Sequence, residues 1–331
     1  MTTIAETTGT LPDLIDAIAS AATSLSEWSD ADSAITNDGS STNYVDNGRV
    51  LQHSSSGIFV GLFLQTSEYA HEDDDYNSRH AGGIRIVHST DWDTENNVPA
   101  GSTDVRSADP WSGDVGNHAG ASFTTTDYGT GNHDYAYGNA SGSTQVYILE
   151  GNHGVDVLQS TEVTYFGSVT NNWINFGAWN TEDGTNGRAG YYSFEYVNSK
   201  FWADGNDPFA AYAQSSVNHG NQTALSSWKT MYGHNETDPS YPYKASGFDN
   251  PAWCMVNPDS GDDTYFFRRG VMYQTSNNSV PVAYLKAIIG NDINEGGAHG
   301  DTIDHDGETY RVVRQSGAGT STTITAGLRY E

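Results

Sequence analysis

The sequence predicts a mainly β fold of the α+β kind, with a β-sandwich-like core, one amphipathic N-terminal helix and long loop insertions. Three observations predict it. Short apolar runs bounded by Gly, Asn, Asp or Ser recur along most of the chain, the pattern of strands separated by turns. Only one stretch keeps a sustained three- and four-residue apolar period. And 8 Trp, 20 Tyr and 11 Phe in 331 residues supply a sizeable core, excluding the aromatic-poor composition of an acidic disordered chain.

The helical stretch comes first. Leu11, Leu14, Ile15, Ile18, Ala22 and Leu25 repeat at helical spacing and Trp28 continues the stripe, so a helix is expected over 10–28. Thr10 can act as its N-cap, with Asp13 three residues on forming a partial capping box. The stripe must be covered, by the rest of the fold or by another subunit; Leu14 and Ile18 stand at its centre as candidate interface residues.

Strands follow. The continuous apolar run 58–64 is expected of a strand covered on both faces. Further strands are expected at 84–88, 145–149, 163–169, 173–179, 191–197, 252–256, 265–267, 271–274, 282–289, 310–314 and 322–329. The segment 303–312 reads as a hairpin turning at Asp306-Gly307, since an Asp-Gly pair suits the positive φ of a two-residue turn. Two stretches break the rhythm. Residues 92–142 are Gly/Asn/Asp/Thr-rich and read as a surface excursion. Residues 171–238 open with two aromatic strands and then lose pattern through 201–236. The expected organisation is therefore a β-rich core from 1–170 and 239–331, with 171–238 as an inserted aromatic-rich lobe.

Charge constrains the setting. Forty-two acidic side chains face 14 basic ones, a formal net charge of −28. Only Lys200, Lys229, Lys244 and Lys286 are lysines. Such an excess repels itself at ordinary ionic strength, but in ~1 M salt the Debye length is roughly 3 Å and the repulsion is screened. Carboxylates meanwhile keep the surface soluble. Acid-rich and lysine-poor together read as a halophile's protein; an acidic secreted protein is the alternative. A nucleic-acid partner is disfavoured, because phosphates would have to be neutralised by Lys and Arg that are scarce here. Cys254 is the one cysteine, which excludes an intrachain disulfide and a cysteine-based zinc cluster. Its apolar neighbours suggest a packing role. No run of residues approaches a membrane span, and the first residues carry no basic segment of a secretion signal. The product is expected to stay inside the cell that makes it, or to leave only by lysis.

Chemistry is sparse. Asp73, Asp75 and His80 lie in an acidic run that could hold a metal, although neighbouring side chains of an extended segment point to opposite faces. Asp304 and Asp306 resemble half of a calcium loop, but Thr302 and Val313 stand where an EF-hand loop has acids. Calcium or magnesium would be the natural guest of either set; no other cofactor is implied. There is no Gly-x-Ser-x-Gly, His-Glu-x-x-His, P-loop or dinucleotide fingerprint. With 42 acids, some carboxylate pair always falls at glycosidase spacing, so spacing alone identifies none.

The order of segments carries a resemblance. Leu11-Pro12-Asp13-Leu14-Ile15 opens the helix, the 58–64 strand follows, and Asp75-Tyr76-Asn77 leads into Gly83-Ile84-Arg85-Ile86. Then come Gln145 to Glu150, Val163 to Gly167, Tyr241-Pro242-Tyr243 and Val256-Asn257-Pro258-Asp259. The chain closes on Gly307 to Val313 and Ala326-Gly327-Leu328-Arg329. Over about two thirds of its length the chain resembles tail and baseplate virion proteins of tailed phages. It departs from them at 171–238, where that group is nearly contiguous, and in the length of 92–142. The resemblance implies a structural virion protein with no catalytic residues to carry over; with the salt signature it implies a tailed virus of a halophilic archaeon. The expected function is non-enzymatic, in a symmetric oligomer with other virion proteins and in contact with the host cell surface. The alternatives are a host-binding or capsid-decorating module and an envelope-glycan hydrolase. Trp173, Trp179, Tyr191, Trp202 and Trp228, in or beside the insertion, are the candidate interface aromatics; their other reading is the insertion's own core.

Overall fold

A computed structural model of the chain describes residues 1–32, 45–65, 83–89, 92–94, 98–99, 143–147, 162–180, 188–196, 209–215, 229–230, 243–246, 268–274, 280–291, 298–314 and 325–331. Among them the chain forms antiparallel sheets and one helix, so the protein is mainly β. The central sheet runs β1 (Thr2–Thr10), β9 (Glu162–Val169), β10 (Trp173–Asn180), β11 (Arg188–Tyr196), β12 (Phe209–Ser215) and β13 (Lys229–Thr230). An N-terminal sheet runs β2 (Trp28–Asp32), β3 (Val45–His53), β4 (Phe59–Gln65), β5 (Gly83–Ser89) and β8 (Ser143–Tyr147). A C-terminal sheet runs β14 (Tyr243–Ser246), β15 (Arg268–Gln274), β16 (Val280–Asn291), β19 (Thr325–Arg329), β18 (Glu308–Arg314) and β17 (Thr302–His305). The short β6 (Trp92–Asp93) and β7 (Val98–Pro99) pair with each other.

Local chemistry sets the helix, α1 (Leu11–Thr23). The Thr10 hydroxyl accepts from the Asp13 amide at 3.3 Å, while Asp13 Oδ2 accepts from the Thr10 amide at 2.8 Å. This reciprocal capping box satisfies donors that a first turn otherwise leaves unpaired. The far end comes earlier than the apolar spacing suggests. Thr23 and Ser24 turn their hydroxyls back onto the carbonyls of Ala19 and Ala21, competing with the backbone for the last turn. Trp28 therefore opens β2 instead of extending the helix. It still reaches the same core, donating its indole N–H to the Thr170 carbonyl at 2.8 Å.

The central sheet is covered on both faces, and β-strand alternation sorts its side chains between them. Val163, Tyr165, Ile174, Phe176, Tyr192 and Phe194 form one cluster with α1 and with Leu51, Val60, Leu62 and Ile84 of the N-terminal sheet. Leu14 and Ile18 are fully buried there. The opposite face presents Phe166, Ser168, Trp173, Asn175 and Glu195 to the C-terminal sheet. Gly177 makes the close approach possible, because a Cβ there would collide with Val313 of β18.

The inserted-lobe expectation does not survive this topology. Residues 173–180 and 188–196 are interior strands of the sheet that also contains β1 and β9. Their aromatic density belongs to a sheet buried on two sides rather than to a graft. By contrast, the 303–312 hairpin forms as its sequence predicts: β17 and β18 pair across Asp306 (φ 55°) and Gly307 (φ 80°). The strands expected at 252–256 and 265–267, with Cys254, and nearly all of 92–142, lie outside the described residues.

Candidate functional site

The chemistry on the described core gathers at the seam between the central and C-terminal sheets. Register aligns Ser168 of β9 with Asn175 of β10, and Asn175 with Ser193 of β11. All three are at most 1 % exposed, so a polar row crosses three strands inside the protein. Buried polar groups need partners, and the neighbouring sheet supplies backbone. Asn175 Nδ2 donates to the carbonyls of Ala287 (2.9 Å) and Arg329 (3.1 Å). Ser168 donates to the Arg329 carbonyl and receives the Trp173 indole N–H at 3.3 Å.

Glu195 completes the seam. Its Oε2 accepts from the amides of Lys286 (2.7 Å) and Ala287 (2.8 Å) in β16. These amides lie where the β15–β16 ladder slips: Val271 pairs with Tyr284, but Arg269 pairs with Ile289. The extra residues of β16 form a bulge whose backbone groups turn to side chains instead. The Lys286 carbonyl accepts from the Tyr310 hydroxyl at 3.1 Å. Burial pushes the Glu195 carboxyl up to about 7, against the opposing pull of the two amides and of the Lys286 and Arg329 charges.

Arginines close the ends. The Arg329 guanidinium lies over the Trp173 ring at 4.8 Å and pairs with Glu308. Arg311 sits 4.8 Å from the Tyr330 ring and 5.5 Å from that of Phe166, with Glu6 3.4 Å away. A planar, weakly hydrated guanidinium can stack and ion-pair together, which an ammonium does poorly.

A second buried polar group lies on the other face. His53 is fully buried among Trp28, Phe194 and Tyr196. Its Nε2 lies 2.8 Å from the Asn171 carbonyl, which can only accept, so Nε2 carries the proton and Nδ1 accepts from Ser56 at 2.8 Å. Burial pushes this imidazole's pKa down.

The candidate residues named from sequence are placed differently. Trp173, Trp179 and Tyr191 are 8 %, 6 % and 1 % exposed, and Leu14 and Ile18 have no exposure. These five are interior to the described chain, as their other reading, packing within the fold, expects. The aromatic load that made them interface candidates reflects a sheet with two covered faces. Asp306 belongs to the hairpin turn and lies 3.6 Å from His305, while Asp304 accepts from the Thr309 hydroxyl at 3.1 Å. Among the described residues no three acidic, histidine or cysteine side chains come together as a metal group. Asp73, Asp75, His80, Trp202 and Trp228 lie outside the described residues.

Sequence reasoning passed over Glu195, Asn175, Ser168 and His53. In Tyr191-Tyr192-Ser193-Phe194-Glu195-Tyr196 the strand is plain, yet no residue type there says what Ser193 and Glu195 face. No family model matches the chain, and neither does any curated protein. Among the described residues no helix is long and apolar enough to cross a membrane.

Proposed function

We propose that this chain is a non-enzymatic structural component of a tailed virus particle, in the tail or baseplate, working as a symmetric oligomer in high salt. The observation that carries the reading is compositional: a net charge of −28 with four lysines on a chain whose segment order resembles tail and baseplate proteins. The described core is compatible with a scaffold. Its buried polar groups tie one antiparallel sheet to another, and the helix packs into the cluster shared by the central and N-terminal sheets. The partners are other virion proteins and further copies of this chain, met through surfaces other than the buried Trp173, Trp179 and Tyr191. Exposed loops contact the host envelope. A structural calcium or magnesium ion would sit in the acidic loops.

Measurements on purified particles and on the isolated chain test this. Mass spectrometry of particles purified from a hypersaline host should find the chain at a fixed copy number, and imaging should put it at the tail. Capsid location would favour a decorating module, and hydrolysis of envelope glycans would remove the non-enzymatic reading. The thermal midpoint should fall when salt is lowered from ~1 M to ~0.1 M, where the Debye length grows to roughly 10 Å. An unchanged or higher midpoint at low salt would sink the halophile assignment.

A further inference from the structure

The β16 bulge leaves Ala287 without a β15 partner in the ladder, and two side chains of the central sheet take that partner's place. Glu195 accepts the Ala287 N–H while Asn175 donates to the Ala287 carbonyl, as an antiparallel neighbour would. One atom of this arrangement is left over. Asn175 Oδ1 is buried with no hydrogen-bond partner among the described residues, a costly condition for an amide oxygen.

Register brings Glu195 into range of it. Glu195 stands opposite Trp173, so Asn175 is its diagonal neighbour on the same face. Such pairs lie about 7–8 Å apart at Cα, within reach of long side chains. An ionised carboxylate only accepts, whereas a carboxylic acid also has one O–H to donate. The unpartnered oxygen and the buried carboxyl are therefore complementary in one protonation state.

We propose that Glu195 is a protonation-controlled latch between the central and C-terminal sheets. Neutral, it holds two β16 amides on one oxygen and donates its own proton to Asn175 Oδ1; ionised, it loses that donation and loosens the seam. The direction of its pKa, pushed up to about 7 by burial, agrees. Among the described residues, the charged groups facing it are Lys286 on β16 and Arg329 on β19, the latter paired with Glu308 on β18. Tyr310 on β18 donates to the Lys286 carbonyl, and β10 contributes the uncharged Trp173 and Asn175. A carboxyl whose folded pKa is raised contributes stability that is complete below its unfolded value of 4.5 and is lost as pH rises through about 7.

The test compares wild type with Glu195→Gln in molar salt. Glutamine keeps the neutral form's pattern, one oxygen for the amides and one N–H for Asn175, without a titrating proton. The ratio of folding constants, wild type over variant, should fall by up to about tenfold per pH unit across this window and then level off. Because both proteins retain His53 and the surface carboxylates, their titration cancels. Parallel profiles would overturn the latch. Infrared spectra of the folded wild type give an independent reading should the variant fail to fold. A protonated-carboxyl band should persist near pH ~6, where solvated carboxyls with pKa about 4 are ionised, and vanish in mild alkali. Absence of that band near pH ~6 would equally overturn the proposal.

Discussion

The two faces of the central sheet are built by different chemistry. The face toward α1 and the N-terminal sheet is packed mostly with aliphatic and aromatic side chains, from Val163 and Phe176 to Leu14 and Val60. The face toward the C-terminal sheet carries Ser168, Asn175, Ser193 and Glu195, all buried, among Phe166 and Trp173. Apolar contact is non-directional and scales with buried area, so the first face supplies cohesion but tolerates some sliding. Hydrogen bonds to particular carbonyls and amides of β16 and β19 fix how the second pair of sheets registers. Burial acts alike on both faces, favouring neutral His53 on one and neutral Glu195 on the other.

If that contrast is right, charge placed on the apolar face should do the most damage. Leu14→Asp puts a carboxylate at a site with no exposure, and a buried unpaired charge costs several kcal/mol. Loss of the cooperative unfolding transition is expected; a variant with wild-type stability would mean that α1 does not face this core. On the polar face a smaller and different effect is expected. Asn175→Ala strips the Ala287 and Arg329 carbonyls of a donor and should lower stability by about 1–3 kcal/mol. Amide exchange should rise most in β16 and β19; a uniform rise across all three sheets would break the distinction between the faces. The smallest effect belongs to the helix end. Thr10→Ala removes the capping hydroxyl and should cost about 1 kcal/mol, with exchange rising in the first turn of α1 and the β16 seam untouched.

These contrasts also separate what was legible in the chain from what was not. The capping box at Thr10 and Asp13 and the turn at Asp306-Gly307 depend on residues within four positions of each other, and both form where the sequence places them. Strands such as β4, β9, β10 and β18 follow from apolar runs bounded by turn residues. Other elements were silent. β1, reading Thr-Thr-Ile-Ala-Glu-Thr-Thr-Gly-Thr, has almost no apolar alternation because it is a largely exposed edge strand. The helix end was overestimated because Leu25 and Trp28 keep helical spacing while serving the core from a turn and from β2.

What the sequence by itself determined is the β-rich class, the N-terminal helix with its N-cap, the 303–312 hairpin and a net charge of −28. Each follows from local conformational preference or from composition, neither of which needs distant partners. Only the tertiary structure decided that 173–180 and 188–196 are interior strands of the sheet that holds β1 and β9, and that Glu195 and Asn175 face inward. Alternation along a strand says that two faces differ, but not what covers either one. Here the polar groups of the second face find partners 91 to 161 positions later in the chain, and those partners are backbone atoms, which carry no residue-type signal.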